Sequence, residues 1–112
     1  GAGTDLDFGS GRPIAGDVLD TCFTDLQRDS NGRATARLTG ADGRHVELWC
    51  DESYSYLQVF TGDTLAAGRR RTGLAVEPMT CPSNAFNSGE HLVVLQPGES
   101  HSSSWGVGLC DP

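Results

Sequence analysis

No part of this 112-residue chain is apolar for long enough to cross a bilayer, which takes about 20 consecutive apolar residues. Helical periodicity is absent from every long stretch, so an α-helical bundle is excluded. The opening GAGTDLDFGS has neither a charged n-region nor an apolar h-region and does not read as a secretory signal; it also lacks an initiator methionine. Basic residues are scarce: 8 Lys and Arg stand against 15 Asp and Glu, a formal charge of -7. That balance argues against nucleic acid and against an anionic membrane surface as partners, because both require clustered positive charge. The one basic run, Arg69-Arg70-Arg71, reads as a solvated loop before a strand, with a sugar or phosphate contact as the alternative.

Paired cysteine knuckles are also missing. Cys22, Cys50, Cys81 and Cys110 lie far apart with no C-x-x-C, so a structural zinc site is not expected. Without a secretion signal the thiols are expected to stay reduced, in a cytoplasmic protein. No two of the three histidines have a ligand spacing, and none adjoins a serine or cysteine as a base would. His45 and His91 fall at expected strand starts and His101 in a polar turn; each is expected to be solvated.

What the chain does have is turns, with 15 glycines. Asn31-Gly32 and Asp42-Gly43 are dipeptides suited to tight turns with positive φ. Around the second, RATARL alternates Ala34, Ala36 and Leu38 with polar neighbours, and RHVELWC alternates Val46, Leu48 and Cys50 with His45, Glu47 and Trp49. This predicts a β-hairpin. Further strands are predicted over residues 17–26, 55–62, 73–79, 91–96 and 103–109, with Pro97-Gly98 as a type II turn between the last two. Residues 82–90 read as loop. The expected fold is all-β, with about seven antiparallel strands.

Three polar residues interrupt these strands. Period two puts Tyr56, Gln58 and Phe60 on one face of YLQVF, an amide between two rings. Rings stack on the C–H faces of sugars while an amide exchanges hydrogen bonds with hydroxyls, so the pattern suits a carbohydrate; an ordinary exposed sheet face would look the same. Glu77 shares a face with small Ala75 and is followed by Pro78, which has no N–H to donate, so it is expected at a strand terminus facing a cleft. Asp20 lies within the apolar run of LDTCF, where a hydrogen bond to a turn is the plainer account.

The block LAVEPMTCPSNAFNSGEHLVVLQPGES, with the final SSSWGVG, resembles the C-terminal end of the aldose 1-epimerases, the galactose mutarotases. GTDLDF, LDTCF and YLQVFTGD agree upstream in the same order, so the resemblance covers essentially the whole chain. It implies a β-sandwich larger than this chain, of which these residues form the C-terminal portion with the N-terminal part absent. By position it implies that Glu77 is the general base, and that Asp20 and Gln58 contact the substrate. Thr21 stands where the family often has histidine. The general-acid histidine of the family lies in the earlier part, and His45, His91 and His101 match none of its positions. The implied reaction interconverts the anomers of an aldohexose such as galactose or glucose without metal or organic cofactor. On its own the chain is then expected to be weak or inactive, with the N-terminal portion or a second copy as partner. A non-catalytic carbohydrate-binding module and a hexose-6-phosphate epimerase using Arg69 to Arg71 are the alternatives.

Overall fold

A computed structural model describes Thr4 and residues 6–112; the GTDLDF piece lies partly outside them. The strands are β1 (Asp20–Phe23), β2 (Ala34–Thr39), β3 (His45–Cys50), β4 (Tyr56–Phe60), β5 (Ala75–Met79) and β6 (Trp105–Cys110). A single helical turn, α1 (Ala85–Ser88), interrupts the loop after β5. The strands form two antiparallel three-stranded sheets, ordered β1-β4-β5 and β2-β3-β6. No helix among the described residues is long and apolar enough to cross a membrane.

The β2–β3 hairpin pairs Ala34 with Cys50, Ala36 with Leu48 and Leu38 with Val46, so the apolar alternation of both segments lands on one face. Its loop closes with the Gly40 N–H donating to the Arg44 carbonyl at 2.9 Å. In this turn and at Asn31-Gly32 only the glycine takes positive φ, +85° at Gly43 and +80° at Gly32. The Asn-Gly turn does not close a hairpin, since β1 and β2 lie in different sheets.

The two sheets meet at a small core. Ala34 and Cys50 pack against Leu57, with Ala36, Leu48 and Val76 around them. Burial raises the Cys50 thiol pKa, and all four cysteines are free thiols. Beyond this cluster the apolar face of β2-β3-β6 is open: Trp105 and Val107 are each 56% exposed and Leu109 86%.

Two expectations need correction. HLVVLQ is not a strand: His91 takes φ +51°, the segment has no partner strand among the described residues, and Val94 and Leu95 are exposed. Four apolar neighbours in a row carry no alternation that would select one buried face. Glu77, moreover, is not at a strand terminus. β5 continues through Pro78, opposite Leu57, to Met79, opposite Tyr56. The proline is tolerated because β5 is the edge of its sheet, where every second N–H points away from the neighbouring strand.

Candidate active site

The register of the first sheet gathers the three candidate residues. β1 sets Cys22 opposite Gln58 and Asp20 opposite Phe60; β5 sets Glu77 opposite Gln58 and Ala75 opposite Phe60. Period two then places Asp20, Gln58 and Glu77 on one face, the reverse of the face that gives Leu57 and Val76 to the core. One sheet therefore has a packing side and a chemical side.

Asp20 opens its short strand, and the chain is pinned just before it. Just before it, buried Leu19 donates its N–H to the Thr61 hydroxyl at 2.9 Å, and the Thr61 N–H donates to the Leu19 carbonyl at 2.9 Å. These bonds extend the β1–β4 ladder beyond Asp20 and fix its side of the sheet. The Gln58 amide nitrogen donates to Asp20 Oδ1 at 2.7 Å. That bond settles which end of the amide points where, and it leaves Gln58 Oε1 buried without a hydrogen-bond partner. A buried acceptor without a donor is costly and is usually paired, so a ligand's O–H would satisfy Oε1 once the side chains that enclose it move aside. Glu77, across from it, is exposed. Two exposed carboxyl groups on a firm sheet, edged by Phe60 and small Ala75, can accept several hydroxyl protons and present one base.

The site is an open face rather than a closed pocket. A cavity of about 300 Å³ lined by Phe60, Gly62, Leu65, Thr72, Gly73, Leu74 and Ala75 touches one end of it. A second, of about 460 Å³, lies between Tyr54, Pro78, Met79, α1 and Ser103. Asp20, Gln58 and Glu77 line neither.

One feature of this face has no signature in the sequence. Buried Tyr56, two residues from Gln58, shares a 2.7 Å hydrogen bond between its hydroxyl and His91 Nδ1, with the rings 5.6 Å apart. Burial raises the phenol pKa. His91, expected only to be solvated, is exposed yet tied to the sheet. No local pattern reveals a pair 35 residues apart; only the return of the chain after β5 does. Arg71 is likewise engaged: it donates to both carboxylate oxygens of Asp63 and to the carbonyls of Ala15 and Asp17. Its guanidinium ties two loops together, which weakens its reading as a phosphate contact.

A family model described as aldose 1-epimerase matches residues 1–107. The chain belongs to the aldose 1-epimerase family. Among curated proteins it is similar to one named as the uncharacterized protein YihR of Escherichia coli (strain K12), 35% identical over 97 residues. That match covers 87% of this chain but 29% of the relative, so the chain spans well under half its length. No solved structure matches. The all-β architecture fits the expected fold class.

Proposed function

We propose that this chain supplies the base side of an aldose 1-epimerase site, with Glu77 as general base and Asp20 and Gln58 holding hydroxyls of an aldohexose such as galactose or glucose. The observation that carries this reading is the register: Gln58 stands directly between the strands of Asp20 and Glu77, bonded to one and opposite the other. Glu77 takes the proton of the anomeric hydroxyl while an acid protonates the ring oxygen. The bond from the anomeric carbon to the ring oxygen breaks and the aldehyde forms. Rotation about the first carbon–carbon bond, followed by the reverse proton transfers, closes the other anomer. The acid comes from a further portion of the protein, in the cytoplasm, where free thiols persist. That portion also covers the apolar face left open at Val107 and Leu109.

Anomer exchange of galactose and glucose, measured by NMR magnetisation transfer, tests the proposal. This chain alone should exchange sugar near the buffer rate. Joined to the upstream portion of a longer family member it should exceed that rate, and Glu77→Gln should lower the gain by about 10²–10⁴-fold. Exchange in the joined protein that ignores Glu77→Gln would remove the base assignment. Sugar bound without exchange in that protein would select a carbohydrate-binding module instead.

A further inference from the structure

The second sheet carries a group of donor atoms that the sugar chemistry does not use. Period two puts His45 and Glu47 on one face of β3, the face turned away from the core, and the register sets Cys110 of β6 directly opposite His45. Gly108 lies opposite Glu47, and a Cβ there would meet nothing within 4 Å, so the carboxylate has open room toward β6. One ligand atom from each of His45, Glu47 and Cys110 lies within 4.8 Å of the others, and all three residues are half-buried.

The spacing is close to that of a coordination shell. Bonds of about 2.0–2.3 Å at tetrahedral angles put ligand atoms about 3.3–3.8 Å apart. His45 Nε2 and Glu47 Oε1 are already 3.4 Å apart. The Cys110 sulfur needs a shift of at most about 1 Å, within the reach of its χ1 rotation. Arg37 also donates to Glu47 Oε1, but its side chain is 59% exposed and can swing into solvent, and the carboxylate has a second oxygen to offer. A donor set of one imidazole, one carboxylate and one thiolate suits a borderline transition metal and is too soft for calcium or magnesium.

We propose that His45, Glu47 and Cys110 form a site for one divalent transition-metal cation of the zinc type, with water as the fourth ligand. On binding, the thiol releases its proton to solvent and the thiolate ligates. The ion bridges β3 to β6, which is the edge strand of its sheet.

Cobalt(II) is the probe, titrated into the full chain with its cysteines reduced. The expected result is saturation at one ion per chain, visible-region bands of tetrahedral cobalt, a thiolate-to-cobalt charge-transfer band, and displacement by zinc. Cys110→Ser should abolish the charge-transfer band, Cys22→Ser and Cys81→Ser should keep it, and His45→Gln should weaken binding by roughly tenfold or more. A charge-transfer band that survives Cys110→Ser, or no cobalt uptake by the folded wild type, would overturn the site. If Cys110→Ser does not fold, His45→Gln decides alone: weaker binding supports the site and unchanged binding overturns it.

Discussion

Replacing Gln58 by methionine separates a side chain that holds the fold from one that holds a ligand. The substitution keeps length and volume but removes two polar atoms with opposite consequences. The amide N–H bonded to Asp20 is lost, and a hydrogen bond to a charged group is worth about 1.5–3 kcal/mol. Asp20 is exposed, however, so water replaces the donor and the loss shrinks toward about 1 kcal/mol. The amide oxygen is lost as well, and it is buried without a partner. Removing such an atom returns about 1–3 kcal/mol of desolvation. The two effects offset, so Gln58→Met should leave the urea unfolding free energy unchanged within about 1 kcal/mol, or slightly raised. Sugar affinity should respond differently. A neutral hydrogen bond to a substrate hydroxyl contributes about 0.5–1.5 kcal/mol, so binding should weaken roughly 3- to 10-fold. Paired urea melts and NMR sugar titrations of both proteins provide the assay. A variant destabilised by more than about 2 kcal/mol with unchanged sugar affinity would make Gln58 a strut of the fold and not a ligand contact.

Gly106→Ala should destabilise the protein by about 1–3 kcal/mol, because its Cβ would lie 2.5 Å from Trp49 Nε1 and the Arg33 guanidinium sits 3.8 Å over the Trp49 ring. A urea midpoint equal to wild type would show that β6 simply lifts away. The Thr61 hydroxyl, with Arg71 beside it, lowers the Asp63 pKa below its usual 3.8, so its contribution is present above that value and is lost as pH falls through the lower folded-state value. The stability gap between wild type and Asp63→Asn should therefore be full at neutral pH and close in strong acid; a gap that persists at low pH would contradict the ion pair. Leu109 is 86% exposed on the open apolar face, so Leu109→Glu should leave stability within about 0.5 kcal/mol while reducing concentration-dependent association in light scattering. A wild-type chain that stays monomeric at high concentration would count against that face as a covered surface.

Period two and turn chemistry make most of this fold readable from the chain. RATARL and RHVELWC alternate cleanly because one face of their hairpin is buried, and the Asp-Gly turn sets their register. The same periodicity put Gln58 with Tyr56 and Phe60, and Glu77 with Ala75, on the faces where the structure has them. What stayed hidden depends on which strands become neighbours. That Asp20 meets Gln58 follows from β1 pairing with β4 across 38 residues, and Cys110 meets His45 only because β6 pairs with β3. Pro78 read as a stop because its missing N–H matters at the centre of a sheet; on an edge strand it does not. HLVVLQ read as a strand on composition, yet a strand needs a partner, and none of the described residues offers one.

Asp20, Gln58 and Glu77 are proposed to form one sugar-holding face. Titration of the isotopically labelled chain with galactose or glucose, followed through amide chemical shifts, reads that face residue by residue. The Gln58 side-chain amide and the backbone amides of β1, β4 and β5 around these residues should shift together along one binding curve. Shifts confined to the cavity between α1 and Ser103, with the Gln58 amide unmoved at saturation, would contradict it.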